Sequence, residues 1–260
     1  MDDKKISAIE SKRFQRVPIR YLLPNLLTLL ALCSGVTAIR LAVEGRIELA
    51  VSAIILAAVL DGLDGRLARF MKGTSRFGAE LDSLADFVNF GVAPAIMLYF
   101  WSLNSLKTFG WVICLMLAIA CALRLARFNV ALDDPNQPTW VKAYFTGMPA
   151  PAGALLAMAP FYLGLLWEQT NGHDYAKPIA AFVILISVLM VSRVPTFSGK
   201  NIARVPREYV LLILAIMALV IVLLVSFPWE TLAIAAAIYL GLIPMSIISY
   251  HRRKRANPKD

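Results

Sequence analysis

An all-α polytopic membrane bundle of about eight transmembrane helices is the fold class this sequence predicts, on three observations. Of its 260 residues, 59% are hydrophobic and only 17% charged, with a mean hydropathy of +0.67. Apolar runs close to the roughly 20 residues needed to cross a hydrocarbon core recur along the whole chain. Between them, every second connection is rich in Lys or Arg.

The runs lie near 21–43, 47–70, 82–103, 108–130, 148–167, 176–194, 208–227 and 230–250. The first is Leu-rich and carries Pro24, Asn25 and Thr28. The second begins in Ala, Val and Ile and ends in Asp61-Gly-Leu-Asp64-Gly-Arg-Leu-Ala-Arg69. The third opens at Asp82 and contains Pro94, while the fourth passes Cys114 and Cys121 and finishes in Arg124-Leu-Ala-Arg-Phe-Asn129. The fifth is punctuated by Pro160, a kink-forming residue. The last three are almost uniformly aliphatic. Together they predict one domain over 21–250, preceded by a basic segment 1–20 and followed by a basic tail 251–260.

Lys and Arg in short loops favour the cytoplasmic side. That rule puts inside the tail with Lys4, Lys5, Lys12, Arg13, Arg16 and Arg20, the loops with Lys72, Arg76, Lys142, Lys200, Arg204 and Arg207, and the final His251-Arg-Arg-Lys-Arg255 run. Intervening loops hold isolated cations such as Arg46, Lys107 and Lys177. Both termini are therefore expected in the cytoplasm. The net charge of +9 is explained by orientation and by contact with anionic membrane lipids. No nucleic-acid motif accompanies it, so nucleic acid is not expected as a partner. The apolar run after the basic start has no small-residue cleavage site and is expected to remain as a helix. Cys33, Cys114 and Cys121 lack a CxxC pair, which argues against disulfides and zinc and for buried thiols. Trp101, Trp111, Trp140, Trp167 and Trp229 fall near run ends, where an interfacial belt is expected.

Acids at membrane depth are costly and mark function. Asp61 and Asp64 are three apart, and Asp82 and Asp86 four apart, so each pair shares a helix face. Antiparallel helices joined near 71–80 would bring the pairs together at the cytoplasmic boundary. Unneutralised, four carboxylates would repel one another. Hard oxygen donors without Cys or His select Mg²⁺, Mn²⁺ or Ca²⁺, and two such ions about 3.5–4 Å apart form a clamp for phosphoryl chemistry. Asp61, Asp64 and Asp82 are the ligands best placed by spacing, with Asp86 shared between metal and proton abstraction. Gly65, Ala68 and Gly78 leave a face that admits either a bulky ligand or a neighbouring helix. Arg69 offers a fixed cation to a phosphate.

The pattern Asp-x2-Asp-Gly-x2-Ala-Arg-x8-Gly-x3-Asp-x3-Asp, filled by Asp61, Asp64, Gly65, Ala68, Arg69, Gly78, Asp82 and Asp86, resembles the signature of the CDP-alcohol phosphotransferase family. The resemblance implies two divalent cations, Mg²⁺ or Mn²⁺, held by Asp61, Asp64, Asp82 and Asp86, with Asp86 as catalytic base. It also implies CDP-alcohol contacts at Gly65, Ala68, Arg69 and Gly78, and at Asn25 and Thr28 near the diphosphate. Phe77-Gly-Ala-Glu-Leu-Asp-Ser-Leu-Ala-Asp86, Phe90-Gly-Val-Ala-Pro-Ala95, Arg124–Asn129, Phe145-Thr-Gly-Met-Pro149 and Leu189–Phe197 are similar to the branch that makes phosphatidylserine. Asn89 and Met148-Pro-Ala150 depart from it, where Ser and Leu-Pro-Ser are usual.

That branch implies CDP-diacylglycerol and L-serine as substrates, CMP as product, a bacterial inner membrane with the site facing the cytoplasm, and a homodimer. Arg124 and Arg127, three apart, are expected to clamp the serine carboxylate, with Glu80 and Asn129 meeting its ammonium. His173 and His251 lie away from the motif, which predicts direct displacement without a phosphatidyl-enzyme intermediate. Two alternatives stay open: another acceptor, such as glycerol phosphate, inositol phosphate or choline, and a cation transporter with a buried acidic path.

Overall fold

The computed structural model describes residues 19–71, 75–132, 144–167, 172–192, 194–197 and 207–256. The basic stretch up to residue 18, Lys72, Lys142, Trp140, Lys200 and Arg204 lie outside these residues. Helices occupy all eight predicted runs: α1 Ile19–Val43, α2 Ile47–Phe70, α3 Arg76–Phe87 continuing into α4 Ala93–Trp101, α5 Thr108–Leu132, α6 Ala150–Ala157 with α7 Ala159–Leu166, α8 Ala176–Val191, α9 Arg207–Ser226 and α10 Pro228–Ala256. Among the described residues, six stretches are long and apolar enough to cross a membrane: 22–43, 76–101, 108–131, 173–191, 209–226 and 228–249. The other two predicted runs fall short for visible reasons. Asp61, Asp64, Arg66 and Arg69 interrupt the apolar character of α2, and α6 and α7 break at Met158, just before Pro160.

Local chemistry explains the ends and breaks. α1 closes on Gly45 at φ +76°, with Gly45 N–H donating to Ala42 O and Arg46 N–H to Leu41 O, the paired bonds of a Schellman stop. Ser75 caps α3 by accepting from Gly78 N–H at 3.0 Å. Between α3 and α4 the helix widens into a π turn over Val88–Val92, where Ala93 N–H reaches back to Val88 O. Pro94 follows at once; it has no N–H to give the preceding turn, and a widened register is one way a continuous helix accommodates it. Gly91 lets α5 approach this turn, since a β-carbon there would lie 3.0 Å from Cys121 Cβ.

The core gathers around the π turn, with Phe90, Met97, Leu98, Leu117, Phe161, Val183 and Met190 excluded from solvent. α1 lies along α2 and against α3, while α2 and α3 touch each other far less. α9 contributes no buried residue to its span and packs against α10, leaving its Leu, Ile and Val side chains to face lipid. Trp101 is buried and packs on Phe161 with ring centroids 4.6 Å apart, so it belongs to the core and not to the interfacial belt. Cys114 and Cys121 are buried and Cys33 is exposed on α1, all three unbridged.

One feature lies outside the all-helical expectation. Tyr144–Thr146 (β1) and Pro195–Phe197 (β2) pair antiparallel, Phe145 opposite Thr196. Gly147, at φ +81°, donates to Val194 O at 2.9 Å and extends the ribbon. Its missing side chain admits Ser192 O and Met190 O, which a β-carbon would meet at 2.8 and 3.0 Å. Two connections that leave helices at the membrane edge thus satisfy each other's backbone groups.

Candidate metal centre and its surroundings

The acidic site grows out of an apolar packing face. On α2, Ala50, Ile54 and Ala57 are buried, and the same spacing of three and four residues continues to Asp61 and Asp64. The face that seats α2 in the bundle therefore becomes acidic in its last turns. On α3, Asp82 and Asp86 project from consecutive turns toward it. Oxygens of Asp61, Asp64 and Asp82 lie within 4.8 Å of one another. Two ligands on opposite sides of one Mg²⁺ are about 4 Å apart, given bonds of about 2.0–2.1 Å. The three carboxylates thus fit a small divalent cation with little inward movement, and their all-oxygen chemistry suits it.

Asp86 faces Asp61 at hydrogen-bonding range, while its Oδ1 is buried without a partner among the described residues. Asp64 is 3% exposed and is oriented from α1: Thr28 Oγ1 donates to its Oδ2 at 2.6 Å and shares the same hydrogen with Pro24 O at 3.1 Å. Asn25, one turn before Thr28, abuts Gly78, where a β-carbon would lie 2.8 Å from Asn25 Oδ1. Gly78 is therefore small because α1 comes close. Gly65 is different: it is exposed, and a β-carbon there would meet nothing within 4 Å. Ala68 is half-buried and Arg69 exposed on the same end of α2. Together these leave an open, basic-edged face beside the acids.

The residues expected to meet serine are divided by the structure. Arg124 is 8% exposed, lies over the Phe128 ring at 5.0 Å and is within electrostatic reach of Asp86. Arg127, one turn on, donates from Nη1 to Val191 O at 2.8 Å and Ser192 O at 3.3 Å, the last carbonyls of α8. Asn129 Nδ2 donates to Ser83 Oγ at 2.9 Å, beside Asp82. Glu80 is exposed, and no ion pair joins it to Arg76 among the described residues. One neighbour escaped the sequence reading, and another was marked there only as a departure from the usual pattern. Tyr239 of α10 comes within electrostatic reach of Arg124, and Asn89 lies buried one turn past Asp86. Tyr239 gives no signal in the sequence, being an aromatic in an aliphatic helix; Asn89 signals only by departing from the usual Ser.

Comparison with known proteins gives the family. The family model for CDP-alcohol phosphatidyltransferase matches residues 21–250. The chain is 38% identical over 239 residues to the CDP-diacylglycerol–serine O-phosphatidyltransferase of Mycobacterium leprae, covering 90% of this chain and 77% of that one. It is 34% identical over 220 residues to the enzyme of the same name from Helicobacter pylori, covering 85% and 88% respectively. An archaetidylserine synthase of Methanothermobacter thermautotrophicus is 34% identical over 203 residues, or 75% of this chain and 72% of that protein.

Proposed function

The chain belongs to the CDP-alcohol phosphatidyltransferase family, and from that premise we propose that it is an integral membrane enzyme that transfers the phosphatidyl group of CDP-diacylglycerol to the hydroxyl of L-serine. The observation that carries the reading is the set of Asp61, Asp64 and Asp82 oxygens within 4.8 Å, with Asp86 alongside and an open glycine face beside them. The serine oxygen attacks the β-phosphorus, the bond to the CMP oxygen breaks, and phosphatidylserine and CMP result.

Asp61, Asp64 and Asp82 hold the divalent ions, Mg²⁺ or Mn²⁺, with Asp86 sharing them. When bound, the ions supply the positive charge that phosphoryl transfer requires at the diphosphate. Asp86 takes the serine proton; its unpartnered Oδ1 supports this role, because a base must have an oxygen free for the incoming hydroxyl. Gly65, Ala68 and Arg69 border the cytidine diphosphate, Gly78 and Asn25 shape its edge, and Thr28 acts there through Asp64. Arg124 receives the serine carboxylate, with Arg127, Asn129 and Glu80 completing the acceptor side. The site faces the cytoplasm of a bacterial inner membrane, with both termini on that side. A cation path would leave Arg69 and the open face at Gly65 without a purpose.

The test is an acceptor panel with purified protein, CDP-diacylglycerol and Mn²⁺ or Mg²⁺, reading CMP release and lipid product. Serine is expected to yield phosphatidylserine, while glycerol phosphate, inositol phosphate and choline yield no lipid product. Product from one of those acceptors and none from serine reassigns the acceptor.

A further inference from the structure

Asn89 is entirely buried, yet neither its Oδ1 nor its Nδ2 has a hydrogen-bond partner among the described residues. An amide left so costs about 1–3 kcal/mol, which an aliphatic side chain of the same size would avoid. Space-filling alone therefore does not account for an asparagine. What it touches is the backbone of α1 at Gly35. A β-carbon on Gly35 would overlap Asn89 Oδ1 and lie 2.9 Å from its Cγ and 3.3 Å from its Cα. The carboxamide occupies the notch that the glycine leaves.

Gly35 follows Thr28 by seven residues and Asn25 by ten, so all three lie on one face of α1. That face meets the acidic motif at two points, Thr28 on Asp64 and Asn25 on Gly78, and meets the π turn at the third. Sliding α1 by one residue shifts its side chains about 1.5 Å along and about 100° around the axis, which would break the Thr28–Asp64 bond. It would also press the Asn89 amide onto the side chain of Ser34 or Val36 in place of the notch. A buried asparagine that sets helix register at a cost in stability is an established physical device.

We infer that Asn89 is a positioning residue: seated in the Gly35 notch, it holds α1 in the register that lets Thr28 orient Asp64 and Asn25 close on Gly78. The inference rests on the metal-dependent reading above. Its readout is Mn²⁺ affinity of the folded protein in detergent, measured by electron paramagnetic resonance without turnover, so it is independent of which alcohol is the acceptor.

Loss of a group that orients a metal ligand weakens metal binding about 10- to 100-fold. Gly35→Ala should fall in that range and raise the KM for CDP-diacylglycerol, and Asn89→Ala should weaken Mn²⁺ binding by about threefold, less than Gly35→Ala does, with the serine KM within about twofold of wild type in both. The double variant Gly35→Ala/Asn89→Ala removes the overlap and should bind Mn²⁺ as the Asn89→Ala variant does. A double variant as impaired as Gly35→Ala alone overturns the inference. So does an Asn89→Ala protein with wild-type Mn²⁺ affinity; a changed serine KM in that protein would make Asn89 an acceptor contact. If Gly35→Ala does not fold, recovery of folding in the double variant supports the notch, and Asn89→Ala alone still decides.

Discussion

Asp86 and Asp64, like residues on neighbouring helices, have different surroundings. Asp64 is held by the Thr28 hydroxyl and is almost closed to solvent, which suits a ligand of fixed aim. Asp86 keeps one oxygen unpartnered among the described residues, which suits the proposed role of receiving a proton. Asp86→Asn should lower turnover at least about a hundredfold, the low end of general-base contributions, with CDP-diacylglycerol binding still measurable by isothermal titration. A variant turning over within about tenfold of wild type removes Asp86 as the base.

At the scale of elements, Arg127 ties the end of α5 to the end of α8. Its charge meets carbonyls at a helix C-terminus, where a cation is favourable. Hydrogen bonds to a charged group contribute about 1.5–3 kcal/mol each at most. Arg127→Ala should therefore lower the unfolding temperature as well as affinity for serine, and Arg124→Ala, which empties a buried place over Phe128 beside Asp86, should raise the serine KM by more than Arg127→Ala does. The comparison needs only thermal denaturation and initial rates of both variants. An Arg127→Ala protein with an unchanged serine KM takes Arg127 out of the acceptor site and leaves it as a helix tie. The spacing of these arginines was legible in the sequence; where each guanidinium ends was not. Either a substrate carboxylate or a row of helix-end carbonyls satisfies a cation at that point, and only the placement of α8 distinguishes them.

For the whole molecule, the gap between α2 and α3 is bridged by α1 on one side and by the acidic cluster within it. A cation binding there would bind the folded state alone and stabilise it by mass action. Mn²⁺ at about a hundred times its Kd should add about 2.7 kcal/mol, seen as a higher melting temperature of chelator-stripped protein. Asp61→Asn/Asp82→Asn should abolish that rise; a rise that persists in the double variant places the ion elsewhere.

Much of this architecture follows from one-dimensional patterns. Apolar runs imply helices because a bilayer leaves backbone groups no other partner, and the offsets of three and four put Asp61 with Asp64 and Asp82 with Asp86 because the helical period is fixed by backbone geometry. Those regularities determined the membrane bundle and the identity of the acidic motif. Tertiary packing decided the rest: that Thr28 aims Asp64, that Arg127 ends on the carbonyls of α8, that two connections pair as a ribbon, and that Asn89 rests against Gly35, 54 positions away in the chain. Local periodicity places side chains on a helix, but contacts between helices depend on rotation and register. Those are set by the shapes of all the packed surfaces at once.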